Sequence, residues 1–386
     1  MLNILCFNAG SSSLSYAAFR GQGEALALTF DGGVDLSAED VVLLRPADGP
    51  ARRLDVSDTS DFPAIACRIL DAVERDTGEP SVIAHRVVHG GDRTAPAVDL
   101  TEDEMAALGT LAPLAPIHQP AGLGPARAIA AARPGLRQVA VFDTAFHATL
   151  PDIARRLPLP ETGATAGLRR FGFHGLSYAW AARRLRDVAP QRRRVVALHL
   201  SGGASACAIR DGRSIDTSMG ATPLDGLMMG TRSGAVDPGL ILALMQDRGL
   251  STDEVADLLW HRSGLAGVSG ISNDTRDLIP SGAPEAEAAL ALFCRSAAKG
   301  AAAMAVSLGG FDALVFTGGI GAEQPEIRDR ICAELAFLGV RLDPDANARN
   351  DERVSPPDAA IEIRAFAEQE EWIMAIETSR LVGASA

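Results

Sequence analysis

The chain has 386 residues, 47% of them hydrophobic, so it is long enough to bury a large core and, by length, to form two domains. Its formal net charge of −13 disfavours nucleic acid as a partner, because phosphate backbones attract basic surfaces. The five scattered cysteines contain no CxxC pair, which argues against a zinc site or a disulfide framework and is typical of a reducing compartment.

Membrane and export signals are weak in this sequence. No apolar run reaches the roughly 18 residues of a membrane span. The first ten residues, "MLNILCFNAG", carry no basic residue and break at Gly10, so they predict a first strand rather than a signal peptide. We therefore expect a cytoplasmic protein without a membrane partner.

In the first half of the chain, strand-like and helix-like segments alternate. The pattern predicts a hairpin and a third strand, a helix, a strand that ends in a glycine turn, a helix capped by Thr101, and a buried strand that ends near an acid. In chain order these segments are residues 2–7, 14–19, 25–30, 62–76, 81–91, 101–108 and 137–146.

The second half opens with the same design. A strand, the small-residue loop "SGGAS" and a second strand with a tight turn precede a run of helices, one with a Ser251–Glu254 capping box, and two later strands. The predicted segments are 194–200, 206–217, 237–249, 251–264, 284–308, 312–321 (a strand and glycine turn), 325–339, 360–366 and 368–381, with surface loops at 44–60 and 343–359.

A strand, small loop and strand thus occur at residues 2–19 and again at 195–210. The repeat predicts a duplicated α/β fold in which two glycine- and serine-rich loops hold a phosphate chain between two domains. The sequence contains neither the phosphate-loop pattern GxxxxGK[ST] nor a GxGxxG after a strand, which excludes the two commonest nucleotide-binding routes.

Eight stretches, in order and over nearly the whole chain, resemble the acetate kinase family of the acetate and sugar kinase/Hsp70/actin superfamily. They are "NAGSSSL", "AHRVVHGG", "LAPIHQP", "VAVFDTAFH", "RRFGFHG", "MMGTRSGAVDPG", "GVSGISND" and "VFTGGIG". The resemblance implies an actin-like (ribonuclease H-like) fold with the active site in the cleft between two domains. We expect the domains at 1–145 plus 368–386 and at 146–367.

The resemblance also implies an activity. The expected reaction is reversible transfer of a phosphoryl group from ATP to acetate, giving acetyl phosphate by direct in-line attack, with Mg²⁺ or alternatively Mn²⁺, in a homodimer. Helix 284–308 is a candidate packing surface or a core helix. Alternatives are propionate or butyrate as acceptor, pyrophosphate as donor, and a non-catalytic nucleotide-binding relative.

Arg86 and Arg232 suit this chemistry because two guanidinium forks can neutralise a carboxylate and a phosphoryl group and hold them in line; ordinary ion pairs are the alternative. The resemblance implies that His174 donates to the transferred phosphoryl group. Asp143 and Glu370, with Glu371 as the rival of Glu370, are expected to bind or orient the metal.

The other expected site residues belong to pockets and loops. The resemblance implies an acyl pocket from Val88, Ile117, His118, Phe173 and Pro223. It assigns metal binding also to Asn8, and nucleotide or phosphate binding to Asn8, Ser11, Ser13, His199, Ser201, Gly202, Gly203, Gly318, Gly319, Ile320 and Gly321. His85 and His89 are predicted to be structural.

The sequence departs from the family pattern mainly on the expected donor side. Ser15 replaces a lysine, and Gln119 replaces an asparagine beside the expected acyl pocket. The remaining changes are Leu176 and Tyr178 in place of threonine and histidine, Ser201 and Gly202 in place of glycine and asparagine, and Ala322 and Glu323 in place of glutamate and asparagine. A Glu323 that points at a polyphosphate would repel it. We therefore expect the acceptor half to be kept and the donor half to have diverged.

Overall fold

The computed structural model describes residues 1–10, 13–35, 39–56 and 58–384. The chain packs into two units. Unit 1 consists of Met1–Phe146 and Gln369–Ala386, and unit 2 consists of His147–Glu368.

Unit 1 is built on an eight-stranded sheet in the order β5-β4-β3-β2-β1-β6-β8-β7. Its strands are β1 (Leu2–Ala9), β2 (Ser13–Gln22), β3 (Ala25–Asp35), β4 (Glu39–Pro46), β5 (Arg52–Leu54), β6 (Val82–Val87), β7 (Ala97–Asp99) and β8 (Gln138–Phe142). β1 pairs antiparallel with β2 and parallel with β6, and β6 pairs parallel with β8. The predicted loop at 44–60 is wrong in part, because the end of β4 and all of β5 extend the edge of this sheet.

In the described part of unit 1, four α-helices accompany the sheet: α1 (Phe62–Thr77), α2 (Glu102–Gly109), α3 (Gln119–Ala132) and, from the end of the chain, α14 (Glu370–Ala384). α1 begins where the Asp61 side chain accepts from the Ala64 amide at 3.0 Å. Its apolar face, which includes Ile65 and Ile69, packs with Leu5 and Phe7 of β1 into one core cluster. Thr101 caps α2 as predicted.

Unit 2 repeats the central topology of unit 1 in a five-stranded sheet with the order β11-β10-β9-β12-β13. Its strands are β9 (Arg194–Leu200), β10 (Ala204–Arg210), β11 (Arg213–Thr217), β12 (Ala313–Thr317) and β13 (Glu362–Ala365). As in unit 1, three antiparallel strands are followed by two parallel ones. The predicted tight turn is confirmed at Asp211 and Gly212, which both have the positive φ that a two-residue hairpin favours.

The helices of unit 2 are α4 (Asp152–Arg155), α5 (Gly175–Val188), α6 (Pro238–Gln246), α7 (Thr252–His261), α8 (Gly264–Ser269), α9 (Thr275–Ser281), α10 (Pro284–Leu308), α11 (Gly318–Glu323), α12 (Pro325–Glu334) and α13 (Pro344–Ala348). The Ser251–Glu254 capping box of α7 is confirmed. Two expectations are corrected, since α13 lies in the predicted loop 343–359 and the predicted glycine turn at 318–321 is the first turn of α11.

α10 is, within the described residues, the helix that is long and apolar enough to cross a membrane by length and composition. Eleven of its residues are buried, and it packs on β10 and β9 of the unit 2 sheet. This packing makes α10 a core helix, and of the two predicted roles for residues 284–308 the structure supports the core role.

Candidate active site

Arg86 and Asp143 form a bidentate ion pair at one edge of the unit 1 sheet. β6 and β8 are parallel neighbours, with Arg86 paired to Val141 and Val87 to Phe142, so Arg86 and Asp143 lie at the same end of the two strands. The Arg86 Nε and Nη2 atoms donate to Asp143 Oδ1 and Oδ2 at 2.9 and 2.6 Å. Asp143 is fully buried, and the fork supplies the partner that a buried carboxylate requires.

Asn8 joins this pair to the start of α14. Its Oδ1 accepts from Arg86 Nη1 at 2.9 Å, while its Nδ2 donates to Glu370 Oε2 and Glu371 Oε1, both at 3.0 Å. Glu371 also accepts from the Ser15 hydroxyl at 2.5 Å. The structure therefore brings together Asn8, Arg86, Asp143, Glu370 and Glu371 of unit 1, which we call the acid cluster.

The acid cluster has more negative than positive charge. It holds three carboxylates and one guanidinium, and Glu370 is 4% exposed and 3.4 Å from Arg86 Nη1. Burial raises the pKa of the Glu370 carboxyl above its ordinary value; Arg86 opposes this rise, and Asp143 and Glu371 add to it. Hard oxygen atoms with excess negative charge are the donor set that Mg²⁺ prefers, so these residues fit a divalent cation, and Glu370 and Glu371 both remain candidate ligands.

In unit 2, His174 begins α5 in the left-handed backbone conformation, with φ 59°. Its ring stacks on that of His199, with 4.1 Å between the ring centroids. His174 Nδ1 lies 2.7 Å from the Ser205 hydroxyl oxygen at the start of β10. Glu368 Oε1 lies 3.2 Å from His199 Nδ1. Both histidines are thus held at the end of the central strands of their sheet.

Arg232 and the loop between β9 and β10 meet beside His174. The Gly230 amide donates to the Gly202 carbonyl at 3.1 Å, and Arg232 Nη1 donates to the Pro223 carbonyl at 2.7 Å. A Cβ atom at Gly203 would lie 2.9 Å from Arg232 Nη2 and 3.1 Å from His174 Nε2. The glycine at 203 therefore lets a cationic and an imidazole nitrogen approach the loop backbone closely. We call His174, Arg232 and residues 201–203 the loop cluster.

The other expected phosphate-binding residues occupy two further loops. Ser13 begins β2, and its carbonyl accepts from the Gly10 amide at 2.8 Å, whereas Ser11 lies outside the described residues. Gly318 requires a glycine, because its φ is +80° and a Cβ would meet the Leu200 carbonyl oxygen at 2.2 Å. Gly318, Gly319, Ile320 and Gly321 form the start of α11. Glu323 is exposed at the end of that helix.

Arg328 holds α11 in place, and the sequence reasoning missed it. Its guanidinium is buried and donates to the carbonyls of Gly321 and Ala322 at 3.0 and 2.7 Å. It also donates to Asn347 Oδ1 at 2.7 Å. Burial lowers its pKa to about 10. The role of Arg328 depends on α13, which supplies Asn347 from a distant part of the sequence. No local sequence signal could therefore have indicated it.

The residues expected to line the acyl pocket divide between the units. In unit 1, Val88 is buried, Ile117 is half-buried, and His118 is 9% exposed at the start of α3. Phe173 and Pro223 are buried in unit 2, and the Phe173 carbonyl lies 2.9 Å from His147 Nε2. The structure brings Pro223 directly to another site residue, Arg232.

Gln119, which departs from the family pattern, has a structural role in unit 1. Its side chain accepts from the His89 amide at 3.1 Å and donates to the His89 and Leu108 carbonyls, both at 3.0 Å. Next to this loop, His85 Nε2 bonds to Gln138 Oε1 at 2.7 Å, and burial lowers the His85 pKa to about 4. A buried, neutral histidine of this kind fits the structural role predicted for His85.

Comparison with known proteins shows to which family the chain belongs. The model of the Acetokinase family matches residues 3–376. The chain belongs to this family. An acetate kinase of Rhodopseudomonas palustris is 44% identical over 391 residues, which cover 98% of each chain. One of Nostoc punctiforme is 37% identical over 396 residues, covering 97% of this chain and 98% of the relative.

Solved structures agree with the sequence relatives. The acetate kinase of Porphyromonas gingivalis has a TM-score of 0.84 at 32% identity, covering 99% of this chain and all of the other. A propionate kinase of Francisella tularensis has a TM-score of 0.87 at 33% identity, covering 98% and 99%. The predicted two-domain actin-like fold is confirmed, and the chain is a phosphotransferase with a carboxylate acceptor.

The close approach of Arg232 and His174 to Gly203 allows a test of whether their positions set the rate. A Gly203→Ala substitution places a methyl group against Arg232 Nη2 and His174 Nε2, and both side chains must move. Because displacing a positioned group by about 1 Å can cost around 100-fold in rate, we expect kcat to fall by roughly that factor. Thermal unfolding should shift little, because the atoms in contact are the ends of side chains.

Gly202→Ala is the matched control, since a Cβ there meets no atom within 4 Å. We expect it to cost far less activity than Gly203→Ala. Equal losses in the two variants would show that the loop backbone, and not the position of Arg232 and His174, sets the rate.

Proposed function

We propose that this member of the acetokinase family is an acetate kinase that transfers the γ-phosphoryl group of ATP to acetate, reversibly. The observation that carries the proposal is the acid cluster, in which Asp143 and Asn8 fix the guanidinium of Arg86 at the end of a buried strand. An oriented, permanently charged guanidinium is suited to a small carboxylate. The acetate kinases among the relatives support the choice of acceptor.

The chemistry requires little beyond position and charge. An acetate oxygen attacks the γ-phosphorus in line, and the phosphoryl group spreads its charge over three equatorial oxygens. In our proposal Arg86 holds the acetate carboxylate and offsets its repulsion from the phosphoryl group. Asp143 keeps the guanidinium in one plane. No covalent phosphoenzyme is required, because each group acts by orientation and electrostatics.

The loop cluster of unit 2 serves the same reaction in this proposal. Arg232 is 6% exposed and anchored to the Pro223 carbonyl at 2.7 Å, so its charge is fixed and poorly solvated. His174 has its Nε2 beside the same loop backbone. Together they would stabilise the negative charge of the transferred phosphoryl group, and the backbone of residues 201–203 and 318–321 would hold the rest of the nucleotide phosphates.

A divalent cation, Mg²⁺ or Mn²⁺, completes the proposed enzyme. Glu370, with Glu371 and Asn8 Oδ1 beside it, supplies the oxygen atoms that would hold it. When bound, the cation neutralises phosphate charge. The protein's own contribution is to hold these oxygens in fixed positions, with Glu370 buried, through the two hydrogen bonds that Asn8 Nδ2 donates.

Two departures from the family pattern on the donor side are compatible with ATP as the donor. Gly202, where the family pattern has asparagine, removes a side chain but leaves the backbone in place, since the position opens on free space. Glu323 is exposed at the far end of α11, so its charge is solvated. Neither departure places an obstacle in the described phosphate loops.

Trapping acyl phosphate with hydroxylamine tests the proposal. Purified protein with MgATP should turn over acetate faster than propionate and propionate faster than butyrate, because each added methylene has to fit a small apolar site, at about 1–3 kcal/mol per group. Arg86→Lys, which keeps the charge but not the fork, should lower turnover by about 100-fold or more. The matched control is Arg137→Lys, an arginine that is also paired through a fork, with Asp99, and it should leave turnover unchanged.

Other outcomes of this assay would contradict the proposed donor, the proposed acceptor or the enzymatic activity itself. Turnover with pyrophosphate but not ATP would contradict the proposed donor while leaving the acceptor intact. A preference for propionate would contradict the proposed acceptor. No turnover with any donor would contradict the enzyme itself and favour a non-catalytic relative.

We also propose that the protein works as a cytoplasmic homodimer. Support comes from α6, a nine-residue helix that is mostly apolar although none of its residues is buried. Leu240 and Leu242 are 51% and 56% exposed, and a patch of this kind needs a partner surface. The free state of all five cysteines fits a reducing compartment.

Light scattering on the Leu242→Asp variant tests the dimer. A charge in an apolar interface should convert a dimer to monomers at micromolar protein concentration. Val306→Asp, on the exposed side of α10 with 81% exposure, is the control and should leave the dimer intact. A wild-type protein that is monomeric at all concentrations would contradict the proposal.

A further inference from the structure

His147 is a buried histidine of unit 2 that has no role in the function proposed above. Its side chain is 2% exposed. Its Nε2 atom lies 2.9 Å from the Phe173 carbonyl oxygen, and its Nδ1 atom lies 2.8 Å from the Ser214 hydroxyl oxygen. Because the ring bonds on both sides, His147 joins β11 to the segment that leads into α5.

The direction of the hydrogen bond to Phe173 is fixed by its chemistry. A carbonyl oxygen can only accept, so His147 Nε2 carries a proton and donates it. Turning the ring over would place carbon atoms against the Phe173 and Ser214 oxygens, in two residues that are buried, and would remove both hydrogen bonds. The bond from Nε2–H to the backbone therefore holds whichever way the Ser214 hydroxyl points.

The His147 ring also packs against the backbone just before Phe173. A Cβ atom at Gly172 would lie 2.7 Å from His147 Cγ and Cδ2. One residue earlier, the Phe171 amide donates to the Gly220 carbonyl at 3.0 Å. The segment is therefore anchored on its N-terminal side, and His147 contacts its next two residues.

These contacts end at His174, whose backbone has the left-handed φ of 59°. Residues with a Cβ rarely adopt this conformation, and it persists where the surrounding structure fixes it. The Tyr178 amide donates to the His174 carbonyl at 3.1 Å, which fixes the residue on the side of α5. On the other side, the Phe173 carbonyl and the His174 nitrogen belong to one planar peptide group, so the bond from His147 fixes the orientation of that plane.

We propose that His147 is a positioning residue, which holds His174 in the left-handed conformation by donating its Nε2–H to the Phe173 carbonyl. Without this bond the peptide plane can rotate, and φ of His174 can relax to the negative values that residues with a Cβ favour. The His174 ring would then leave its stack on His199, and its Nε2 would leave Gly203. The inference rests on the proposed phosphoryl transfer for its effect on turnover, because His174 stabilises the transferred phosphoryl group there.

The experiment compares His147→Asn with His147→Gln. The Asn side chain keeps a polar atom near the position of Nδ1, beside Ser214, but is too short to reach Phe173. The longer Gln side chain places an amide N–H near the position of Nε2. We expect the Asn variant to lower kcat for acetyl phosphate formation about tenfold or more, since small displacements of a positioned group are costly, with the KM for ATP nearly unchanged. The Gln variant should keep most of the wild-type kcat.

Crystal structures of wild type and both variants give a readout that does not depend on turnover. We expect a positive φ at His174 and its ring stack on His199 in wild type and His147→Gln, and the loss of both in His147→Asn. Thr149→Val is the matched control, because Thr149 Oγ1 donates to the Ser214 carbonyl at 2.8 Å, a hydrogen bond to the same strand that does not involve the Phe173 carbonyl. It should leave kcat and the conformation of His174 unchanged.

Two results would overturn the inference. One is a His174 that keeps its positive φ and its ring stack in a folded His147→Asn. The other is a wild-type His147 whose Nε2 carries no proton in nitrogen-15 NMR, with the signal identified by its loss in His147→Gln; this measurement needs no folded Asn variant. A displaced His174 with unchanged kcat would support the inference and contradict the proposed role of His174 in phosphoryl transfer, so the two failures are distinguishable.

Discussion

The ion pair between Arg86 and the buried Asp143 is the interaction on which the rest of unit 1 depends. It joins the ends of β6 and β8. Through Asn8 it also fixes the end of β1 against the start of α14, although Asn8 and Glu370 are 362 residues apart in sequence. Removing one partner of a buried ion pair costs about 3–5 kcal/mol, because the other charge stays buried alone. The geometry that positions Arg86 in the proposed reaction is thus also the geometry that stabilises the end of this sheet.

The Arg86–Asp143 pair leaves the negative charge of the other carboxylates in the acid cluster unbalanced. Glu370 and Glu371 add two carboxylates to a site with one guanidinium, and the burial of Glu370 makes their mutual repulsion expensive. Ser15, in place of a lysine in the family pattern, donates a hydrogen bond to Glu371 but supplies no charge. In the function we propose, the bound cation would offset the negative charge that Ser15 leaves unopposed.

Much of the architecture was predictable from local pattern. The apolar segments of β1, β2, β9 and β10 and the small-residue loop of residues 201–203 indicate a duplicated fold from sequence alone. Asp143, at the end of a buried strand, pointed to a charged partner. These features depend on burial and chain order, which an amino-acid sequence displays directly.

Other features depend on contacts between distant segments and could not be predicted. α3 contains Pro125 and two glycines, which are poor helix formers, and it forms because Gly122 lets it pack against the Arg86 backbone, where a Cβ would lie 2.6 Å from the carbonyl oxygen. Arg328 is placed by α13. α6 has the composition of a core helix yet is exposed, which sequence periodicity alone cannot distinguish from burial.

The measurement that tests the central claim most directly is cation binding by the acid cluster. Mn²⁺ added to the protein can be followed by the electron paramagnetic resonance signal of the free ion, with Mg²⁺ as competitor. We predict that Glu370→Gln weakens Mn²⁺ binding at least tenfold. Glu377→Gln, which alters a half-buried carboxylate of the same helix that is paired with Arg380 at 2.6 Å, should leave binding unchanged. Equal affinity in wild type and Glu370→Gln would contradict the claim that the excess charge of this cluster holds the metal.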